Sequence, residues 1–453
     1  MGLAVSIKTA ENREKGGAMK ALHVKRIPMT MISPILFCFL CFLTLARSVD
    51  AQTKTVNDET TVAIGLNVPL TGSYSDQGKD EQMAYELAIE KINSAGGVLG
   101  KKIVPVLRDT KTNAKVAKEN AIELIEKHGI VMLTGGSSSA EAVAQSAVCQ
   151  ERGIIFMAAL THSDATTGFD TNPSGFTVQT AHRNTFRWYF NAWMTGKALA
   201  PFLVQRMKKG SSYFYITSDY TWGHSLEKST RWVTELAGSD TVGSVLTPLG
   251  QTDYSSELTK AQKANPDVLV LVLFGNDVVK ALQQANAMGL KNKMKIVVPL
   301  MELGMAHGAG FDAMAGVLAT KNWYWGLQDR FPGTKQFVDA FRSKYGKPPG
   351  SSAACAWVAI HEWVAAVKRA NTFAANKIVP ELEGHKFTLL KDEEQWRDWD
   401  HQVISSVFIV EGKSKGEAKD EWDLFKIIGE KKGIEVMQSR EENPVTLEPL
   451  PKQ

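Results

Sequence analysis

The sequence predicts an α/β protein built from two units of similar size, each with parallel strands covered by helices on both faces. Three observations carry that expectation. Short apolar runs alternate with amphipathic helix patterns from Thr60 onward, the order that places strands side by side in parallel. The same theme restarts after about residue 210. The chain has 453 residues, too many for one ordinary hydrophobic core.

The elements follow in order. TTVAIGLNVPL is an apolar strand, and the helix after it shows Ala84, Leu87, Ala88 and Ile92 on one face before stopping at Gly96-Gly97. KIVPVLRDT is the next strand. The helix with Ala117, Ala121, Leu124 and Ile125 has Gly129 as its C-cap candidate. GIVMLTGG, GIIFMAAL and GFTVQTA are further short strands, followed by a long aromatic helix around Thr185–Lys208. In the second unit SSYFYITSD is a strand, HSLEKSTRWVTELAG a helix and TVGSVLTPL a strand. A helix from about Tyr254 leads to PDVLVLVLF, the most apolar strand of the chain; a helix over Val278–Met288 leads to KIVVPL and AGVLATKNW. Helices over Thr334–Tyr345 and Ser351–Ala370 precede a late strand, HQVISSVFIVEG, and a charged, Pro-containing tail from residue 431 that is expected to be loosely ordered.

Composition narrows the function. At 44% hydrophobic and 22% charged residues the chain is that of a globular protein, and a net charge of +4 gives no reason to expect nucleic acid as a partner. Lys20, Lys25 and Arg26 precede the apolar run ISPILFCFLCFLTLA, and Val49-Asp50-Ala51 fits a small-x-small cleavage site. Residues 1–51 are therefore expected to be a signal peptide, with a possible upstream extension, cut near Ala51. Cys38 and Cys41 lack a lipid-attachment pattern; Cys149 and Cys355 sit in apolar helix patterns and are expected as buried thiols. GGVLGKK lacks the spacing and context of a P-loop, GGSSSAE has no closing glycine for a nucleophile elbow, and the nine histidines form no metal-spaced cluster. Neither an enzyme, nor a cofactor, nor a metal is expected.

The ordered set of segments resembles type I periplasmic solute-binding proteins of ABC importers, the leucine/isoleucine/valine (branched-chain amino acid) and amide-binding family. The likeness begins with IGLNVPLTGSYSDQGKDEQMAYELAIEKINSAGGVLGKKI and continues through DTKTNAKVAKENAIELI, LTGGSSSAEAVAQSAVCQERGIIFMAA and SDYTWGHS. DVLVLVLFGNDVVKALQQANAMGL, FVDAFRSKYGKPPGSSAACAWVAIHEW and DHQVISSVFIV complete it, from about Thr60 to Gly429. It implies two Rossmann-like lobes joined by a three-segment hinge, with ligand held between them. Lobe one would comprise residues 60–180 and 324–386, lobe two residues 181–323 and 387–430, and the tail residues 431–453.

The resemblance also implies site residues. The turn after GIVMLTGG would grip a ligand carboxylate through Ser137, with Ser138 and Ser139 as near alternatives; as plain chemistry the same serines make a helix N-cap on a glycine turn. Glu302 would pair with a ligand ammonium, or else cap the following helix. Phe274 and Trp222 would be aromatic walls, with Tyr220 beside the latter, while Asn276 or Asp277 would cap the next helix. After GIIFMAAL the family offers a small residue and a hydroxyl, where this chain has Leu160 and His162; Thr161 or Ser163 substitutes after a one-residue shift. Gln77 aligns with a ligand-covering aromatic, a part Tyr74 could fill. Trp323, near the second crossing, either packs between the lobes or lines a pocket.

The expected function is capture of a small amino acid, amide or related carboxylate in the periplasm and its delivery, by a monomer, to a membrane permease complex. The alternative is a larger apolar ligand, an aromatic acid or a sterol-like lipid, handed to a transport or sensory partner.

Overall fold

A computed structural model of the chain describes residues 57–171, 176–208 and 210–450. The proposed signal peptide, Cys38 and Cys41 lie outside the described residues.

The two expected sheets are present. In the first, β1 (Thr61–Val68), β2 (Lys102–Asp109), β3 (Met132–Gly135) and β4 (Ile155–Ala158) are followed by a small hairpin, β5 (Phe169–Thr171) and β6 (Thr177–Gln179), and by β7 (Thr185–Arg187). The order β2-β1-β3-β4-β7 is parallel throughout. The second sheet uses β8 (Ser212–Ser218), β9 (Asp240–Thr247), β10 (Val268–Val272), β11 (Lys295–Leu300) and β12 (Leu318–Lys321). Three short strands, β13 (Lys386–Phe387), β14 (Glu394–Trp396) and β15 (Val403–Ile404), form a separate sheet, and β16 (Val407–Gly412) and β17 (Phe425–Lys431) return to the second. Its order is β17-β16-β12-β11-β10-β8-β9, with β16 and β17 antiparallel. Every residue of β10 is buried, as its unbroken VLVLV demands.

Local chemistry ends the helices where composition suggests. Asn113 caps helix Ala114–His128 by accepting from the backbone N–H groups of Lys115 and Val116, and Gly129 closes it in the left-handed conformation at φ 61°. Cys149 and Cys355 are both free and buried.

Four expectations need correction. The stretch 185–208 is not one helix: Thr185–Arg187 pairs with β4, and the helix runs over Ala192–Arg206. The first crossing therefore falls after Arg187 and not at residue 180. The small sheet of 386–404 packs on lobe one, where Phe186 and Trp396 stack edge to face and Trp396 donates to Glu362 of helix Ser351–Ala370. That moves the third crossing from residue 386 to the link between Ile404 and Val407. Neither Asn276 nor Asp277 caps helix Asn276–Ala287, whose N-cap is Gly275; the Asp277 carboxylate accepts from the Gly250 N–H instead. Finally, the tail is ordered through Leu450. Asn443 donates to the Thr167 carbonyl and to Asp400, Val445 is buried, and Gln179 and Thr446 bond each other twice.

Glu362 gives this lobe a pH dependence. Burial pushes its carboxyl up to about 7, opposed by the Trp396 N–H. A folded-state value above the unfolded one means that stability is lost as pH rises from about 4.5 through about 7. The loss is about 3 kcal/mol by the size of the shift. Urea unfolding at pH 5 and pH 8 should show it, and Glu362→Gln should flatten it; an unchanged slope in the variant would assign the loss to another group.

Candidate ligand cleft

The carboxyl ends of the two parallel sheets face each other, and the segments that follow them meet between the lobes. Nine residues enclose one small cavity there: Tyr74, Ser137, Ser139, Leu160, His162, Tyr220, Trp222, Phe274 and Leu300. Seven of them are site candidates from the sequence. The space is about 180 Å³ and has room for about one water.

The turn after β3 is shaped by its glycines. Gly135 (φ 124°) lies so close to β1 that a Cβ would stand 2.1 Å from the Asn67 carbonyl oxygen, and one on Gly136 would meet Phe156 at 2.9 Å. The close approach they permit is to the protein itself. Beyond them Ser138 is the N-cap of helix Ser139–Arg152, in a capping box with Glu141. Ser138 is thus a structural cap and does not line the cavity, while Ser137 and Ser139 do. Ser139 Oγ accepts from the Ser163 N–H at 3.0 Å and from Thr161 Oγ1 at 3.3 Å, so buried Thr161 supports Ser139 from behind.

His162 is held by lobe two. Trp222 Nε1, which can only donate, lies 3.1 Å from His162 Nδ1, and His162 Nε2 lies 3.0 Å from Thr195 Oγ1. Nδ1 is therefore the acceptor and Nε2 carries the hydrogen. Burial, helped by the charge of Arg187, holds the imidazole well below its ordinary value, so it is neutral at pH 7.

The aromatic residues form one continuous wall. Tyr74 meets Phe274 edge to face at 4.9 Å, Phe274 meets Trp222 at 5.7 Å, and Trp222 lies 6.0 Å from Tyr220. The hydroxyls of Tyr74 and Tyr220 touch across the cleft. The Asn276 N–H donates to the Ser73 carbonyl at 3.1 Å, and Gly275 lies so near that a Cβ would be 2.3 Å from the same oxygen. The lobes are closed on one another.

Three candidates stand elsewhere. Glu302 is buried, and both its oxygens are occupied: Oε1 accepts from Tyr189 at 2.7 Å and faces Lys321 Nζ at 3.7 Å, while Oε2 accepts from the backbone of Ser351 and Ser352 at 3.0 and 3.4 Å. It anchors the N-terminus of helix Ser351–Ala370 rather than that of its own helix. Burial pushes the Lys321 ammonium down, with Glu302 acting against the shift. Gln77 lies with Glu302 along a separate and larger cavity, about 790 Å³ against the 180 Å³ of the first. Trp323 is fully buried, donates to Thr334 at 2.9 Å and packs on Phe337, away from the cleft.

Sequence reasoning passed over Leu300 and, behind the wall, Glu81. The signal for Glu81 was present: it lies three and seven residues before Ala84 and Ala88, on the apolar face of its helix.

The comparisons agree with this geometry. A family model described as periplasmic binding protein matches residues 61–417. A curated Leu/Ile/Val-binding protein homolog 8 from Brucella suis biovar 1 (strain 1330) is 30% identical over 328 residues, covering 68% of this chain and 75% of that protein. A crystal structure of a periplasmic binding protein from Burkholderia mallei superposes with a TM-score of 0.77 at 26% identity, covering 85% of this chain and 98% of the other. A solute-binding protein of an ABC transporter from Rhodopseudomonas palustris BisB5, in complex with 3,4-dihydroxybenzoic acid, has the same fold with a TM-score of 0.73 at 20% identity, covering 82% and 98%.

Proposed function

The chain belongs to the periplasmic binding protein family, and from that premise we propose that its ligand is a small aromatic carboxylate of the benzoate kind. Proteins of this family are solute-binding proteins, not enzymes; they capture a small molecule for an ABC-type importer, and this chain does the same. Among the described residues no helix is long and apolar enough to cross a membrane. Export with cleavage near Ala51 and action as a monomer are further parts of the proposal.

One observation carries the ligand class. An amino acid needs an anion for its ammonium inside the closed cleft, and none of the nine lining residues is acidic. The acid that the family likeness offered, Glu302, already has in-chain partners on both oxygens. What the cavity offers is four aromatic rings for a flat body and the hydroxyls of Ser137 and Ser139 for a carboxylate. The closed space has room for about one water, so a ligand of this class enters with the lobes parted and the wall residues spread around it. The dihydroxybenzoate held by the Rhodopseudomonas protein supports the same class. The Leu/Ile/Val-binding name of the Brucella relative favours a second reading, a branched-chain amino acid.

Thermal unfolding and calorimetry with benzoate and with isoleucine separate the two. Benzoate at about a hundred times its Kd should add about 2.7 kcal/mol of stability, and isoleucine none. Stabilisation by isoleucine alone would overturn the aromatic reading.

A further inference from the structure

Ser137 is a cleft hydroxyl whose hydrogen-bond direction depends on a carboxyl group. Its Oγ lies 2.7 Å from Oε1 of Glu81, on helix Ser75–Ser94 directly behind the wall. Glu81 is fully buried, and its second oxygen, Oε2, has no hydrogen-bond partner. Glu141 nearby likewise has one oxygen without a partner, while its Oε2 accepts from the Ser138 N–H at 3.1 Å; two other buried acids are better provided for. Glu302 has Lys321 at 3.7 Å, and Asp80 has Lys347 at 3.3 Å together with the Gly350 N–H and the Ser352 hydroxyl.

The direction matters chemically. If Glu81 is ionised it can only accept, so the single hydrogen of Ser137 points back at Glu81 and the cleft sees an oxygen lone pair. A ligand carboxylate would then meet a lone pair backed by a negative charge. If Glu81 carries a proton, the carboxyl O–H donates to Ser137 Oγ, and the Ser137 hydrogen is free to point into the cleft. Only the second arrangement lets Ser137 donate to an anion.

We propose that Glu81 is a positioning residue for ligand capture: it holds a proton behind the cleft wall and, through Ser137, makes the cleft a hydrogen-bond donor selective for carboxylates. The proposal rests on the aromatic-carboxylate reading for its ligand, but not for the proton. Three carboxyl groups facing Glu81 favour the protonated form. Glu141 faces it from helix Ser139–Arg152, Asp80 from its own helix and Glu302 from beyond β11, and each raises its proton affinity. Tyr85 and, on helix Ser351–Ala370, Cys355 are further acidic groups within its field. Burial is the largest cause pushing the carboxyl up, and the Ser137 hydrogen bond opposes it. No cation pairs with Glu81 among the described residues.

The test uses the wild type, Glu81→Gln and Ser137→Ala, with benzoate as probe. The glutamine amide keeps a donor toward Ser137 but cannot titrate. Calorimetry in buffers of different ionisation enthalpy should show wild-type affinity constant at low pH. Above the ionisation of Glu81 it should fall about tenfold per pH unit, with one proton taken up on binding. Glu81→Gln should stay within about threefold of the low-pH wild-type value, with no proton uptake. Ser137→Ala should bind about tenfold more weakly without that slope, the loss of one hydrogen bond. Equal pH slopes in wild type and Glu81→Gln would overturn the proposal.

Infrared difference spectra between wild type and Glu81→Gln read the proton without any ligand. A protonated-carboxyl band at pH 7 that is lost in the variant supports the proposal, and its absence from the wild type overturns it. Failure of benzoate to bind any of the three proteins would sink the aromatic-carboxylate reading, and the infrared band would still decide the state of Glu81.

Discussion

Glu302→Ala lowers the unfolding free energy by about 3–5 kcal/mol, the usual cost of leaving a buried charge without its partner. The residue joins three distant segments: the Tyr189 hydroxyl, the Lys321 ammonium and the first backbone N–H groups of helix Ser351–Ala370. Its removal strands a buried cation and uncaps a 20-residue helix. Urea unfolding measures the effect. Were Glu302 instead a ligand group, the variant would lose less than about 1 kcal/mol of stability while losing isoleucine binding outright, and its role as an anchor would be refuted. Glu302→Gln keeps hydrogen-bond capacity but not charge, so a large loss there points to Lys321 as the main partner.

The second large effect lies in the wall. Trp222→Ala should weaken benzoate by about 2–4 kcal/mol, roughly 30- to 1000-fold, as loss of a buried aromatic anchor does. Trp222 supplies both a face of the cavity and the N–H that fixes the tautomer of His162. Trp222→Phe separates the two: the ring remains while the hydrogen bond goes, so the loss should shrink to about 1 kcal/mol. Equal losses in both variants would mean that the N–H, through His162, and not the ring, holds the ligand.

The fold was legible because its signals are local and periodic. The unbroken VLVLV of β10, the Asn113 cap and the Gly129 stop are each read from a few neighbouring residues. The misread boundaries fall where period gives out. A three-residue strand, Thr185–Arg187, has no pattern of its own and is a strand only because β4 lies beside it. The tail looked loose because composition records polarity, whereas Asn443 and Val445 are ordered by partners far back along the chain. The cleft divides in the same way. Ser137, Trp222 and Phe274 came from likeness to a family, since nothing in their spacing brings them together. The occupation of Glu302 could not be foreseen, because Tyr189, Lys321 and Ser351 reach it only in three dimensions. Glu81 could have been found earlier, as a charge on the buried stripe of an amphipathic helix.

The ordered tail bears on how far the lobes can part. The chain leaves lobe two at Lys431, the end of β17, and by Asn443 it is fastened to Thr167 and Asp400 of lobe one. It is a fourth covalent strand between two bodies otherwise joined by three. The first fastening comes sooner, at Gln438, whose carbonyl accepts from Arg397; from Val436, the end of the last short helix, that is two residue steps, whose full reach is about 7 Å. Opening is thus bounded like a door on a chain: once the contacts across the cleft part, the lobes swing until that length is taut, and a wider gape requires first the Gln438 and then the Asn443 fastening to let go.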